Sequence, residues 1–173
     1  MSLMKRFLPS KYVKSIFEIH PDQLIQEGIK GIITDLDNTL VSWDRKDATP
    51  EVIQWFRVME EKNIKVTIMS NNNEKRVKKF SEPLNTPFIY SARKPMSKSF
   101  IRAQRDMDLL KEEIVVIGDQ LLTDVLGGNS AGFKTILVVP IEQTDEWMTR
   151  VNRKIERRIL QWMKNRGMLT WEE

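Results

Sequence analysis

Apolar residues along the chain fall into short continuous runs that alternate with longer segments of helical periodicity. Five runs have the length of a β-strand, and they cover residues 30–35, 65–70, 88–90, 113–119 and 134–140. Each interval between them holds apolar positions that recur every three or four residues, which is typical of an amphipathic helix. This alternation predicts an α/β fold, a doubly wound parallel sheet of the Rossmann-like kind with helices on both faces.

The alternation occupies residues 29–140, and the flanking segments differ from it. Residues 1–28 mix apolar and basic side chains, and residues 141–173 are predicted to form one long basic amphipathic helix. Its apolar stripe consists of Met148, Val151, Ile155, Ile159, Trp162 and Met163. The stripe either docks on the rest of the protein or lies at a membrane or other anionic surface. A chain of 173 residues can bury one core, so we expect a single domain over 1–173.

Polar residues stand at or just beyond the carboxyl ends of four predicted strands. They are Asp35 and Asp37 after the first strand, Ser70 after the second, Lys94 after the third and Asp119 after the fourth. Because parallel sheets bind ligands beyond the carboxyl ends of their strands, these side chains are expected to converge on one site.

Asp35 and Asp37 are two positions apart, so both side chains point to the same side of an extended strand. Two carboxylates this close repel each other unless a cation lies between them. A hard divalent ion with oxygen ligands, most plausibly Mg²⁺, would relieve the repulsion. The simpler alternative is a strand end followed by a turn, for which Asn38 and Thr39 are suited.

Composition excludes several kinds of site. The chain has no cysteine and one histidine, His20, which excludes disulfides, thiolate metal sites, a cysteine nucleophile and multi-histidine zinc sites. No apolar run approaches the roughly 18 residues of a membrane span, and the first residues lack the apolar core of a secretory signal. A cytoplasmic protein is therefore expected. Peripheral contact with an anionic inner membrane face is an alternative, which the net charge of +4 permits.

The converging groups supply what phosphoryl transfer to a carboxylate requires. Asp35 can act as the nucleophile, and Asp37 can protonate the leaving alcohol and later activate water. Asp119 can complete a Mg²⁺ site with Asp35 and the main-chain carbonyl of Asp37. Lys94 can balance the charge of both the carboxylate and the phosphate. These groups predict hydrolysis of a phosphomonoester through an aspartyl-phosphate.

Phosphoryl oxygens also need hydrogen-bond donors, and small polar residues follow two of the strands. Ser70 and Asn71 are expected to donate to a phosphoryl oxygen. Thr39 and Asn38, in the turn after the paired aspartates, are predicted to belong to the phosphate-binding group as well.

The stretch Asp35-Leu36-Asp37-Asn38-Thr39 resembles the first motif of the haloacid dehalogenase superfamily of phosphohydrolases. Ser70, Lys94 and residues 118–124 are similar to its second, third and fourth motifs, in the same order and each after a strand. The resemblance covers residues 29–140. It implies phosphatase rather than dehalogenase chemistry, because the second aspartate of the first motif is present as Asp37.

The same resemblance implies two further roles. Asp124 matches the second acid of the fourth motif, which supports the metal through water or through the lysine. Lys94 matches the lysine of the third motif, and Lys98 is a nearby competitor for that role. The setting Arg93-Lys94-Pro95 favours Lys94 without excluding Lys98.

A narrower resemblance extends over most of the chain. Phe7-Leu8-Pro9 with Val13, followed by residues 28–32, is similar to the YqeG-type phosphatases of subfamily IIIA, relatives of the mitochondrial phosphatidylglycerophosphate phosphatase. This implies a lipid phosphate, with phosphatidylglycerophosphate as the leading substrate. The spacing fits a large substrate. Between Asp37 and Ser70, apart from the second strand itself, there is room only for a flap (residues 41–47) and one helix, and between Ser70 and Lys94 only for a helix and a short strand. Neither gap can hold a cap domain, so the site is expected to be capless.

Three other interpretations stay open. The protein can act on another small-molecule or protein phosphate, since an open site admits many esters. It can be a receiver-type signalling domain, although both aspartates of the closest pair here lie on the first strand. It can also be an RNA- or ribosome-associated protein that retains the site and binds through its basic surface.

Overall fold

A computed structural model describes residues 2–142 and 147–169, except for the side chains of residues 147–149. Within these residues the chain forms one six-stranded sheet with the strand order β1-β6-β5-β2-β3-β4. The strands are β1 Lys11–Val13, β2 Gly31–Thr34, β3 Lys65–Met69, β4 Phe88–Ile89, β5 Ile114–Gly118 and β6 Lys134–Val138. All adjacent strands are parallel. The predicted α/β fold with a parallel sheet is confirmed.

Helices cover both faces of this sheet. They are α1 Pro21–Gln26, α2 Pro50–Glu61, α3 Glu74–Ser81, α4 Ser97–Met107, α5 Leu126–Ala131 and α6 Trp147–Asn165. Val52 of α2 packs in the same core cluster as Ile32 of β2, whereas Phe100 of α4 packs with Ile33. Because Ile32 and Ile33 point to opposite faces, each face of the sheet has its own layer of helices, as a doubly wound fold requires.

Strands β2 and β5 lie side by side at the centre of the sheet, and every residue of both is buried. Thr34 stands opposite Ile117, and the N–H of Asp35 donates to the carbonyl oxygen of Ile117 at 2.9 Å. Because the two strands end level with each other, Asp35 and Asp119 emerge next to each other at the carboxyl edge.

The sheet has one strand more than the sequence pattern predicted. β1 lies at an edge and pairs with β6, with Tyr12 opposite Leu137. It contains three residues, all partly exposed, so neither an alternating nor a continuous apolar pattern marks it. The N-terminal segment therefore extends the sheet as well as packing against its core.

The connections between the first strands of the site are short. The flap and α2 link β2 to β3, and Thr49 Oγ accepts a hydrogen bond from the N–H of Val52 at the start of α2. The helix α3 and a single 3₁₀ turn link β3 to β4. Both connections lie wholly within residues 2–142, and neither contains a cap domain.

Helix α6 forms inside the predicted C-terminal helix of residues 141–173. Residues 143–146 and 170–173 lie outside the described residues, as does the side chain of Met148. The face that docks on the rest of the protein includes Met163, which is fully buried, and Ile159, which packs beside Leu121.

The apolar stripe predicted for this helix is divided between a docked part and an exposed part. Val151, Ile155 and Trp162 belong to that stripe, yet all three are exposed. The stripe spans two faces of the helix, because Trp162 and Met163 are adjacent in sequence and about 100° apart around a helix axis. None of the described helices is long and apolar enough to cross a bilayer.

Candidate active site

Three buried carboxylates meet at the carboxyl edge of the central strands. Asp35 follows β2, Asp119 follows β5, and Asp124 lies one turn further along the chain. Each offers an oxygen within 4.8 Å of an oxygen from the other two. Two of these residues were predicted at strand ends from the sequence, and the third was implied by the family resemblance.

The turn after β5 brings Asp124 back over the strand end. Residues 121–125 form a π-helical turn, and Asp124 Oδ2 accepts a hydrogen bond from the N–H of Gln120 at 3.2 Å. The carboxylate packs directly on Gly118, where an added Cβ would lie 2.2 Å from Asp124 Cγ. Glycine at position 118 is therefore needed for this approach.

Lys94 joins two of the three carboxylates. Its Nζ lies 2.9 Å from Asp35 Oδ1 and 2.6 Å from Asp124 Oδ1, and it also donates to the carbonyl oxygen of Met69 at 2.9 Å. Lys98 is exposed on α4. The geometry therefore places Lys94, and not Lys98, among the acids of the site.

Burial and crowding shift the pKa values at this edge. Burial raises the pKa of Asp124 to about 7; the Asp35 carboxylate adds to the rise and Lys94 opposes it. Burial also raises the pKa of Asp119 well above its ordinary value, with Asp35 adding to the rise and Arg153 opposing it. Burial alone would lower the pKa of Lys94, but the Asp124 and Asp35 carboxylates outweigh it and raise that pKa.

The two residues of the first turn that were assigned to phosphate have other contacts. Thr39 Oγ donates to Asp119 Oδ1 at 3.0 Å and lies 3.4 Å from Asp35 Oδ2, so it links the two carboxylates. Asn38 is buried with a positive φ of 61°, and its Oδ1 accepts a hydrogen bond from the N–H of Trp43 at 3.3 Å. The phosphate-binding role of Asn38 stays a prediction, and in the structure its amide oxygen fixes the flap.

Ser70 and Asn71, which follow β3, make different hydrogen bonds. Ser70 is buried at the strand end, and its Oγ accepts a hydrogen bond from the N–H of Asn72 at 3.0 Å. The Asn71 side chain bonds the main chain of Lys94, donating to its carbonyl at 3.1 Å and accepting from its N–H at 2.7 Å. The donation of Asn71 to a phosphoryl oxygen stays a prediction, and in the structure its side-chain amide orients Lys94.

Asp37 is held by two residues that the sequence analysis did not identify. Arg76 of α3 donates to Asp37 Oδ1 through Nε at 3.2 Å and through Nη2 at 3.0 Å. Asn72 Nδ2 donates to Asp37 Oδ2 at 3.0 Å. A signal for Arg76 existed, because a residue in the first turn of a helix that follows a strand lies at the ligand-binding edge.

A second arginine reaches the site from α6. Arg153 Nη2 forms an ion pair with Asp119 Oδ2, and Nη1 donates to the carbonyl oxygen of Asp119 at 2.6 Å. Glu156, also buried, accepts from Arg153 Nη1 at 3.1 Å. No short-range sequence signal could have identified Arg153, because it lies 34 residues beyond Asp119 in the chain.

The donor chemistry of the cluster fits a divalent cation. Asp35, Asp119 and Asp124 offer carboxylate oxygens, the ligand type that Mg²⁺ and Ca²⁺ prefer. Lys94 and Arg153 balance only two of these three charges. A bound cation would offset the remaining repulsion, which is the same repulsion that contributes to the raised pKa values of Asp119 and Asp124.

Comparison with known protein families identifies two matches. Residues 32–92 match the family described as haloacid dehalogenase-like hydrolase, and residues 91–155 match the family described as HAD-hydrolase-like. Together the two matched ranges include the three carboxylates, Lys94 and Arg153.

Two curated proteins are similar in sequence. The chain is 63% identical over 171 residues to "Probable phosphatase YqeG" of Bacillus subtilis, and the aligned residues cover 99% of each protein. It is 23% identical over 171 residues to "Phosphatidylglycerophosphate phosphatase 1, chloroplastic/mitochondrial" of Arabidopsis thaliana, covering 93% of this chain and 49% of that protein. The chain therefore spans about half the length of the plant relative.

Solved structures share the fold at low sequence identity. The cobalt-bound deoxy-D-mannose-octulosonate 8-phosphate phosphatase of Haemophilus influenzae aligns with a TM-score of 0.55 and 16% identity, over 78% of this chain and 89% of that one. The 3-deoxy-D-manno-octulosonate 8-phosphate phosphatase of Moraxella catarrhalis, in complex with magnesium and phosphate ions, aligns with a TM-score of 0.53 and 16% identity, over 82% and 92%. Likenesses at this level support the fold.

Proposed function

Because the chain belongs to the haloacid dehalogenase-like hydrolases and is a phosphatase of that family, we propose that it hydrolyses phosphomonoesters through an aspartyl-phosphate on Asp35. The observation that carries this proposal is the position of Asp35, whose carboxylate contacts Lys94 and Thr39 and lies beside two further buried acids. A carboxylate in such a setting can attack a phosphorus atom whose charge is balanced by the same surroundings.

In the first step, an oxygen of Asp35 attacks the phosphorus and the bond from phosphorus to the ester oxygen breaks. Asp37 gives a proton to the departing alkoxide. In the second step, Asp37 accepts a proton from water, the water oxygen attacks the phosphorus, and the bond between phosphorus and Asp35 breaks. The products are an alcohol and inorganic phosphate, and both aspartates return to their initial states.

The other residues of the site position these groups and balance charge. Lys94 would face the negative charge that builds up between Asp35 and the phosphoryl group, and Ser70 lies at the adjacent strand end as a hydroxyl donor. Asp35, Asp119 and the main-chain carbonyl of Asp37 would hold Mg²⁺, with Asp124 in support. The bound ion would offset charge on the phosphoryl oxygens.

The leading substrate is a lipid phosphate, phosphatidylglycerophosphate. The name of the Arabidopsis relative supports this choice, as does the absence of a cap domain within residues 2–142. The outer face of α6 supports it further, because the exposed side chains of Val151, Ile155 and Trp162 lie among basic residues. These are Lys154, Arg157, Arg158 and Arg166, all exposed. A face of this kind suits peripheral contact with an anionic bilayer.

The test measures phosphate release from phosphatidylglycerophosphate in mixed micelles with Mg²⁺, beside a soluble aryl phosphate. The wild type is compared with Asp35→Asn and with the matched control Asp106→Asn, an exposed acid on α4 paired with Arg102. We expect Asp35→Asn to reduce turnover by about 10⁴-fold or more, since a covalent nucleophile is lost. Asp106→Asn should retain wild-type turnover.

The outcomes separate mechanism from substrate. Turnover of the lipid far above that of the aryl phosphate, lost in Asp35→Asn, would support both parts of the proposal. Turnover of the aryl phosphate alone would support the mechanism and contradict the proposal that the substrate is a lipid phosphate. Near-wild-type activity of Asp35→Asn would show that the nucleophile is a different residue.

A further inference from the structure

We propose that Arg153 is a positioning residue for Asp119, so that helix α6 forms part of the metal site and not only of the surface. The proposal rests on the proposed function for one point, the assignment of Asp119 as a metal ligand. Its structural basis is the double contact of one guanidinium with Asp119, through Nη2 to the side-chain Oδ2 and through Nη1 to the main-chain carbonyl at 2.6 Å.

The two contacts fix the orientation of the Asp119 carboxylate. Thr39 Oγ donates to Oδ1 at 3.0 Å, and Arg153 donates to Oδ2, so both oxygens have a partner on the protein. Each carboxylate oxygen has a second lone pair, which remains for a cation. Ligands that are held by hydrogen bonds in this way bind metal more tightly, because the carboxylate need not be ordered when the ion arrives.

Arg153 is itself anchored to the turn that carries Asp124. Glu156 accepts from Arg153 Nη1 at 3.1 Å through one oxygen, and from the N–H of Leu122 at 3.3 Å through the other. Two turns beyond Glu156, Met163 is fully buried and holds the helix in place. The side chain of Arg153 is therefore held in one position between α6 and the site, and only 12% of it is exposed.

The charge balance is compatible with a guanidinium beside a cation site. The connected buried groups include four carboxylates and two cations. They are Asp35, Asp119, Asp124 and Glu156 on one side, and Lys94 and Arg153 on the other. When all four acids are ionised, two negative charges remain, which matches one divalent ion. Glu156 thus offsets the repulsion that Arg153 would exert on the metal.

The experiment measures Mn²⁺ binding to the full chain without substrate, by the loss of the free-ion electron paramagnetic resonance signal. We expect Arg153→Ala to raise the Kd for Mn²⁺ by about 10- to 100-fold, the usual effect of removing a group that orients a ligand. Arg153→Lys should bind Mn²⁺ more tightly than Arg153→Ala and less tightly than the wild type. The lysine ammonium can reach the carboxylate or the main-chain carbonyl of Asp119, whereas the forked guanidinium reaches both. Arg157→Ala, an exposed arginine of the same helix, should leave the Kd unchanged.

A purely structural role for Arg153 is tested with Met163→Ala, which loosens the docking of α6 without touching Asp119. If Arg153 positions the ligand, Arg153→Ala weakens Mn²⁺ binding far more than Met163→Ala does at a comparable loss of Tm. Equal effects of the two variants would overturn the proposal, as would unchanged or tighter Mn²⁺ binding in Arg153→Ala. Tighter binding would mean that the arginine competes with the metal.

The result is separable from the proposed function. A Kd that depends on Arg153 in a protein without phosphatase activity would support the inference and remove the function. Activity that depends on Asp35 together with an unchanged Kd would remove the inference alone. A wild type that does not bind Mn²⁺ would overturn the inference together with the proposed metal.

Discussion

Arg76 holds the Asp37 carboxylate through two nitrogens, with Nε and Nη2 at 3.2 and 3.0 Å from the same oxygen, Oδ1. The remaining nitrogen, Nη1, donates to the carbonyl oxygen of Arg45 in the flap. One guanidinium from α3 therefore connects the proposed acid–base residue to the loop beside it. The side chain of Arg76 is only 14% exposed, and its guanidinium lies over the ring of Phe80, 5.8 Å from the ring centre. The aromatic ring therefore helps to hold the guanidinium in place.

Removal of this guanidinium should impair proton transfer by Asp37. We expect Arg76→Ala to lower turnover of an alkyl phosphate by about 10- to 100-fold, part of the contribution that a positioned acid usually makes. Release of nitrophenol in the first turnover should fall much less, because this leaving group departs without a proton, whereas the later hydrolysis of the aspartyl-phosphate is the same for both esters. The measurement is the first-turnover rate of alcohol release from both esters under saturating Mg²⁺, with Arg76→Lys as the conservative variant.

Arg102→Ala is a suitable control for this experiment, since Arg102 is an exposed arginine on α4 paired with Asp106. It should match the wild type on both esters. An equal loss of the first-turnover rate on the alkyl and aryl esters in Arg76→Ala would show that the arginine supports the fold of the flap and not the proton transfer to the leaving group.

Gly118 should not tolerate a side chain. An added Cβ would lie 2.2 Å from Asp124 Cγ, so Gly118→Ala must displace the carboxylate, the strand end or both. We expect the free energy of unfolding to fall by about 1–3 kcal/mol, the usual cost of overpacking a tight site. The stabilisation that Mg²⁺ gives should decrease as well, because Asp124 would move away from the cluster.

Urea unfolding with and without Mg²⁺ measures both effects. Ser130→Ala, an exposed position on α5, is the control and should change neither quantity. A Gly118→Ala protein with wild-type stability and an undiminished response to Mg²⁺ would show that Asp124 does not need its observed position.

The acids at the strand ends were predicted from the sequence and the two arginines were not, although the place of Arg76 in the first turn of α3 was a signal for one of them. Asp35 and Asp119 end apolar runs, so their place at the carboxyl edge follows from the strand pattern alone. Arg76 and Arg153 lie on helices where many residues are basic. Periodicity indicates which face of a helix is apolar, but it does not indicate which basic side chain pairs with a given acid. Arg153 also depends on how α6 docks, which only the packing of Met163 and its neighbours decides.

The contacts of the turn residues and the pairing of the first strand also depend on tertiary structure, which the local sequence pattern does not indicate. Asn71 and Asn38 were predicted as phosphate donors, and in the structure their amides bond main-chain groups of Lys94 and of Trp43, which the sequence did not indicate. Composition cannot distinguish these two uses, because both need the same hydrogen-bonding atoms. β1 was missed since its three residues form a strand only through pairing with β6.

The stability of the α6 contact should depend on pH through Glu156. Burial raises the pKa of Glu156 above its ordinary 4.5, although Arg153 and the N–H groups of Leu122 and Leu121 oppose the rise. A group with a raised pKa in the folded state contributes stability that is fully present below its unfolded pKa. This contribution is lost as the pH rises through the folded pKa, by at most about 1.4 kcal/mol per pH unit for one proton.

The comparison is between the wild type and Glu156→Gln, which cannot titrate but keeps an acceptor for Arg153. The difference in free energy of unfolding, wild type minus variant, should be largest in acid and should decrease from about pH 4.5 upwards. Chemical unfolding without metal across this range measures it. A difference that grows with pH would mean that the ion pair with Arg153 outweighs the burial of Glu156.

Lys94 and Lys98 offer a matched pair that tests the choice between them. Lys94 Nζ contacts both Asp35 and Asp124, so Lys94→Met leaves two buried carboxylates without their common partner. Breaking a buried pair in this way costs about 3–5 kcal/mol, and turnover should be lost together with the stability. Lys98→Met changes an exposed side chain, and its stability should stay within about 0.5 kcal/mol of the wild type.

The role of Lys94 in charge balance can be separated from its role in folding by adding Mg²⁺. A divalent cation can replace the ammonium as a neighbour of Asp35 and Asp124, so Mg²⁺ should raise the Tm of Lys94→Met more than that of the wild type. Turnover should nevertheless stay low at saturating Mg²⁺, because the metal cannot also occupy the place of Nζ beside the carbonyl oxygen of Met69. Full recovery of turnover in Lys94→Met, or a loss of turnover in Lys98→Met, would show that the lysine of the site has been misassigned.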